Sequence, residues 1–268
     1  EVKFGLIKPK AHHRLLVIFL NDTKNLTNVI HRVLQFKPES FESFDHHTLM
    51  LGIRYLFFRF APQFLPELWL VFTSGFPDLV LLAEFSGDLA EEALNKCQAA
   101  EAGLKALGLR TRITQNQADA EKYWTVRRES FNLLRKTVKG KKSTPFIDDI
   151  IVQPEKLPEF LPELEKIMSQ YDITYTVAGH MGDGNLHIIP LMDLSRPESK
   201  KIIHELMDKV YNLVFRFGGS MTAEHNDGLL RTAYLPQMFG EEVYQLFIQI
   251  KNIFDPNNIF NPGKKVVV

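Results

Sequence analysis

Apolar positions along this chain recur in two rhythms, and their alternation predicts sheet strands interleaved with amphipathic helices. Continuous or period-two apolar runs mark strands at 14–20, 41–44, 79–85, 109–114 and 146–152. Runs at helical spacing predict helices over 23–35, capped by Asn21-Asp22, and from Gly87-Asp88 to Leu107, closed by Gly108. Further helices are expected over 118–136, 155–170, 197–217 and 240–254. The repeated strand-helix-strand order predicts an α+β fold built on a ferredoxin-like split β-α-β sheet. Its helices pack on one face, and a C-terminal helical segment follows. The second half repeats the theme of the first, which points to two related sheet halves.

Two apolar, β-branched runs, 173–178 and 186–191, flank Gly179-His180-Met181-Gly182-Asp183-Gly184-Asn185-Leu186-His187. Asp183-Gly184 predicts a two-residue type I′ turn with positive φ at both positions. That turn sets Gly182 opposite Asn185, Met181 opposite Leu186 and His180 opposite His187. Opposed residues share one face of a sheet, with Cβ atoms about 5 Å apart. Two imidazoles so placed can point at one metal ion. The alternative is a glycine-rich turn with two incidental histidines.

A second cluster, Gly218-Gly219-Ser220-Met221-Thr222-Ala223-Glu224-His225-Asn226-Asp227-Gly228, follows the 197–217 helix, which the paired glycines end. In an extended backbone Glu224 and His225 point to opposite sides. His180, His187 and Glu224 then form a two-histidine, one-carboxylate metal set with an open position. His225 is left free to act as a base near neutral pH. Ordinary loop polarity would also account for the pair. Such a set equally suits a flavin-free metal hydrolase or a non-catalytic metal-binding module.

These motifs, in this order, resemble the FAD-linked dehydrogenases of D-2-hydroxy acids, the D-lactate, glycolate and D-2-hydroxyglutarate dehydrogenases of the vanillyl-alcohol-oxidase type. The likeness runs from Phe41-Glu42-Ser43-Phe44-Asp45 through Trp124-Thr125-Val126-Arg127 to the ending Phe254-Asp255-Pro256-Asn257-Asn258-Ile259-Phe260-Asn261-Pro262-Gly263-Lys264. The resemblance implies that His180, His187 and Glu224 bind a divalent metal, usually zinc, and that His225 takes the substrate hydroxyl proton. It also implies that Arg127 pairs with the substrate carboxylate, with Arg231 as a secondary anion contact, and that Asn185 and Asn261 lie toward the flavin. A surface helix arginine is the plain alternative for Arg127. Phe131 and Phe146-Ile147 stand where relatives that handle long diacids carry threonine and lysine. Those departures favour a small substrate such as D-lactate or glycolate. Asn226 replaces a glycine of many relatives, and asparagine tolerates the positive φ of that turn.

The resemblance covers the C-terminal half of such an enzyme. Residues 1–10 are expected to end a preceding FAD-binding domain and its linker, and residues 11–268 to form the substrate-binding domain, inactive alone. The implied partners are that FAD domain, a small 2-hydroxy acid, an electron acceptor the residues do not identify, and in some settings a second copy as a homodimer. Gly179 to Gly184 reads G-x-x-G-x-G and joins two strands, so it is no dinucleotide fingerprint. A formal net charge of zero argues against a nucleic-acid surface. The basic cluster Lys139-Gly140-Lys141-Lys142 reads as a solvated loop or as a gate for an anionic substrate. The single cysteine, Cys97, suits a reducing, cytoplasmic setting. The Leu- and Phe-rich stretch 49–82 is broken by charges and prolines, leaving nothing near the ~20 apolar residues of a spanning helix. Its 55–60 segment reads as buried against another domain or the core, or as a patch touching the inner face of a membrane.

Overall fold

Continuous apolar runs form the central strands here because helices cover both faces of the sheet. The structure is a computed structural model that describes residues 2–50, 75–137 and 141–267, with side chains described outside 130–137. The first unit runs β1 (His12–Leu20), α1 (Leu26–Leu34), β2 (Ser40–Asp45), β3 (Leu79–Gly87), α2 (Ala90–Leu104) and β4 (Arg110–Ile113). Its strands lie side by side in the order β4-β1-β3-β2, all pairs antiparallel, which is the split β-α-β arrangement expected. A long helix, α3 (Gln117–Thr137), and a short strand, β5 (Lys142–Ser143), lead into the second unit.

That second unit runs β6 (Ile150–Ile151), α4 (Leu157–Met168), β7 (Thr174–His180), β8 (Asn185–Met192) and α5 (Pro197–Arg216), and ends in a single bridge from Ser220 to Ile151. Its order, β7-β8-β6-Ser220, repeats that of the first unit with the fourth strand reduced to one residue pair. The units join through β2 and β7, where Glu42 pairs with His180 and Phe44 with Ala178, giving one eight-stranded sheet. The weak sequence repetition thus corresponds to two related sheet halves. Short helices α6 (Gly228–Arg231) and α7 (Leu235–Phe239) precede the terminal α8 (Glu241–Phe254).

Leu16, Ile18 and Leu20 of β1 pack with α1, α2, α4 and α5 in the larger core. Their neighbours Leu15, Val17 and Phe19 pack with Ala120, Tyr123 and Val126 of α3, so this helix lies on the other face. The expectation placed helices on one face only; β1 is apolar on both sides and needs cover on both. Two expected boundaries move. The first helix begins at Leu26, because Asp22 accepts the Lys24 N–H in a turn instead of capping a helix. The 146–152 strand shrinks to Ile150–Ile151, because Asp149 has φ +67, which interrupts extended backbone. Phe146 and Ile147 reach the core from a loop. Cys97 is buried on α2, and burial pushes its thiol up to about 12, so it is an inert core residue. No helix among the described residues is long and apolar enough to cross a membrane, and the 55–60 segment lies outside them.

Candidate active site

Strands β7 and β8 bring the two histidines together, but in a different register from the one expected. His180 pairs with Asn185 and His187 with Ala178. The connection spans 181–184, with the Asp183 N–H donating to the His180 carbonyl at 3.0 Å, and of Asp183 and Gly184 only Gly184 has positive φ, +76. The two-residue type I′ turn is therefore replaced by a four-residue one. A slip of one residue would have moved one histidine to the other face; a slip of two preserves which side chains share a face. The rings accordingly sit 5.2 Å apart, centroid to centroid, near perpendicular. Tertiary contact sets the register. The Gly184 carbonyl accepts the Val152 N–H, and the Asn185 side chain donates to Asp149 and to the Ile150 carbonyl, both at 3.2 Å.

Gly184 is irreplaceable on two counts. A Cβ there would lie 1.9 Å from the Val152 carbonyl oxygen, on a backbone with φ +76. Gly184→Ala is expected to destabilise the protein by roughly 2–3 kcal/mol, adding a left-handed backbone penalty to displacement of β6. Urea denaturation checks this; a midpoint equal to wild type would mean that β6 moves aside freely.

The Glu224–His225 loop is not extended, and here the structure corrects the expectation that the two side chains point apart. The loop wraps the carboxylate of Asp149, a fully buried residue. Asp149 accepts the backbone N–H groups of Ala223 and His225, each at 2.9 Å, that of Glu224 at 3.1 Å, and the Thr222 hydroxyl at 3.0 Å. Burial alone would raise its pKa, but these donors hold the carboxyl below its ordinary value. The bend turns both following side chains inward. As a result three imidazole nitrogens surround one carboxylate oxygen. His180 Nε2, His187 Nε2 and His225 Nε2 lie 3.4, 3.3 and 3.4 Å from Glu224 Oε1.

The other ring nitrogens explain this aim. His180 Nδ1 is 2.7 Å from Glu42 Oε1 on β2, and His187 Nδ1 is 3.1 Å from Asp148 Oδ1. A carboxylate beside Nδ1 holds the proton there and leaves the Nε2 lone pair facing the shared point. The hydrogen bond to Glu42 also raises the His180 pKa, against the effect of burial. Ligand-capable atoms of Asp149, His187, Glu224 and His225 all lie within 4.8 Å of one another. Asp149 already spends both oxygens on the loop, and His180, outside that group, reaches the centre through Nε2 at 3.4 Å from Glu224 Oε1. Ligands bound to a tetrahedral ion at about 2.1 Å sit roughly 3.4 Å from each other, close to the nitrogen–oxygen separations here. The donor set therefore fits a divalent cation that prefers imidazole and carboxylate.

Helix α3 roofs this point. Ala120, Tyr123 and Val126 face the sheet, and Trp124 Nε1 donates to Glu84 at 3.1 Å. Arg127 shares that inner side, with only 17% of its side chain exposed, and donates to Glu42 Oε2 at 3.1 Å. It is not a surface arginine. Arg128 is more open, 58% exposed, and pairs with Glu121. A cleft of about 240 Å³ opens beside Arg127, Arg128, Asp148, His187 and His225, walled by Thr176, Ala178 and Ile189.

The remaining candidates fall elsewhere. Asn185 is 3% exposed and its amide nitrogen is spent on Asp149 and Ile150. Arg231, 9% exposed, donates to the carbonyls of Asn226, at 2.7 Å, and Asp148, which makes it a brace between two site loops. Asn226 does adopt positive φ, +64. Asn261, also at positive φ, is exposed and accepts from Lys264 at 3.3 Å. Sequence reasoning missed Glu42, Asp148 and Asp149 as site residues. The available signals were an acidic residue inside an apolar strand and an Asp-Asp pair entering another.

An α+β domain with two fused split β-α-β units and a polar centre under α3 is thus defined. Residues 9–265 match the family described as FAD linked oxidases, C-terminal domain, and the chain belongs to that family. It is 29% identical over 239 residues to a D-2-hydroxyglutarate dehydrogenase of Pseudomonas putida, covering 87% of this chain and 23% of that protein. It is 34% identical over 189 residues to a D-lactate dehydrogenase of Anaerostipes hadrus, covering 69% and 38%. To the glycolate oxidase subunit GlcD of Bacillus subtilis it is 28% identical over 262 residues, covering 96% and 51%. The chain therefore spans about a quarter to a half of these relatives. Its fold resembles that of 4-ethylphenol oxidase from Gulosibacter chungangensis, with a TM-score of 0.72 at 14% identity, over 98% of this chain and 55% of that one.

Proposed function

We propose that this chain is the substrate-binding part of an FAD-dependent dehydrogenase or oxidase that converts a small D-2-hydroxy acid, D-lactate or glycolate, to the 2-oxo acid. The observation that carries this reading is the ring of three imidazole Nε2 atoms around Glu224 Oε1, roofed by Arg127. His180, His187 and Glu224 would hold a divalent metal, with zinc the best match to the donor types. Such a metal would supply polarisation of the substrate hydroxyl, and a bound flavin would supply the hydride acceptor. His225 receives the hydroxyl proton at Nε2, and the guanidinium of Arg127 orients the substrate carboxylate. Asn261 is assigned to the flavin side, with Asn185 and Arg231 supporting the loops. Ala178 and Ile189 wall one part of the cleft and leave room for a short apolar substrate end, with Arg127 and Arg128 beside it for the carboxylate. A flavin-free hydrolase, compatible with the donor set alone, is not favoured by the family match.

The flavin-binding domain of the same protein is assigned to the exposed apolar surface of the C-terminal segment. Leu246, Ile250 and Ile253 of α8 are 53%, 56% and 73% exposed on one stripe, and Leu229, Ile259 and Phe260 are at least 65% exposed. Leu229 lies four residues beyond His225, and Phe260 adjoins Asn261. Phe4 and Leu6, before β1, are also open to solvent, as a linker leaving that domain would be before docking. The family described and the fraction of the relatives covered both support this occupant.

The full-length protein is expected to be yellow, with flavin absorption, and to oxidise D-lactate or glycolate with an artificial electron acceptor. Chelation is expected to abolish this turnover and added zinc to restore it. A colourless full-length protein that hydrolyses esters with zinc would sink the proposal.

A further inference from the structure

We infer that Glu42 is a positioning residue that couples the metal-facing histidine to the anion-binding arginine, an inference that rests on the reading above. One carboxylate serves both groups. Its Oε1 sits 2.7 Å from His180 Nδ1, and its Oε2 accepts from Arg127 at 3.1 Å. The group is 13% exposed, and its place on β2 is fixed by direct pairing of Glu42 with His180 across the seam between the two units. The seam thus has a chemical task besides joining the sheet. Holding the proton on Nδ1 aims the His180 Nε2 lone pair at Glu224, and the second oxygen holds the guanidinium in place beside the cleft.

Asp148 supplies the internal comparison. It holds His187 Nδ1 at 3.1 Å in the same way, on the other histidine, whereas the 3.1 Å ion pair of Arg127 runs to Glu42. His180 and Arg127 meet different oxygens of Glu42, and glutamine keeps only one of them, so its amide NH₂ would face either His180 or Arg127.

The experiment compares Glu42→Gln, Asp148→Asn and wild type as full-length flavoprotein. Zinc affinity is measured by chelator competition, KM is measured at saturating zinc, and the histidine tautomers of zinc-free protein are read from ¹⁵N spectra. Both variants are expected to bind zinc about 10–100-fold more weakly. Only Glu42→Gln is expected to raise KM for the hydroxy acid, roughly tenfold, with kcat less affected, as loss of one charge-assisted contact predicts. Zinc-free wild type should show His180 protonated at Nδ1, and Glu42→Gln a mixture of tautomers. Unchanged KM, or an unchanged His180 tautomer, in Glu42→Gln overturns the coupling. Wild type that binds no metal overturns the metal assignment instead, and the tautomer comparison still decides the role of Glu42.

Discussion

His225→Ala in the full-length protein is expected to lower kcat by about 10²–10⁴ while leaving bound metal nearly unchanged. His187→Ala is expected to remove metal and activity together, because deleting a ligand dismantles the centre. Distance alone does not separate the two residues, since both Nε2 atoms lie within 3.4 Å of Glu224 Oε1. Their surroundings do. His187 is 13% exposed and anchored at Nδ1 by Asp148. His225 is 55% exposed, and among the described residues no carboxylate holds its Nδ1. A ligand needs a fixed ring, whereas a base must approach a hydroxyl and release its proton. Metal content of the two purified variants decides the matter. If His225→Ala loses its metal as completely as His187→Ala, His225 is a ligand and the base lies elsewhere.

Asp149→Asn is expected to be the most damaging conservative change in the molecule, costing roughly 3 kcal/mol or more of stability. Oδ1 accepts from Glu224 and Asn185, and Oδ2 from Thr222, Ala223 and His225. Whichever way an asparagine amide is turned, its NH₂ faces donors, and buried N–H groups lose their acceptor. Backbone strain does not confound the comparison, since asparagine tolerates the φ of +67 at this position. Because the folded carboxyl titrates below its ordinary value, its contribution is present above the unfolded pKa of about 3.9 and disappears as pH falls through the depressed folded value. The gap between wild type and variant in urea denaturation should therefore be full at pH 7 and close in strong acid. Equal midpoints at pH 7 would show that the 222–225 loop is held by something else. Metal binding should weaken in parallel, since Glu224 and His225 take their direction from this anion.

Much of the architecture was legible because it rests on local pattern. The continuous apolar run of β1 and the helical spacing of α2, α3, α5 and α8 lie in the residues themselves. So does the fact that His180 and His187 share a face, which survives a two-residue slip because side chains alternate with period two. The inner position of Arg127, 17% exposed, did not follow from local pattern, which also allowed a surface arginine. Local pattern could not decide what depends on partners distant along the chain. The hairpin register was set by Val152 and Asp149 reaching Gly184 and Asn185 from another strand, which overrode the turn preference of Asp183-Gly184. The inward aim of both Glu224 and His225 came from a carboxylate some 75 residues earlier, through its backbone hydrogen bonds. Glu42, more than 130 residues from His180, became its partner only when β2 of one unit paired with β7 of the other. By itself the sequence determined the elements, the face each histidine occupies and the chemical types at the centre, because periodicity and residue chemistry are local. The register, the loop that presents the acid and base, and the carboxylates that orient the imidazoles were decided only by tertiary structure, because hydrogen bonds between buried groups form wherever the packed chain brings donor and acceptor together.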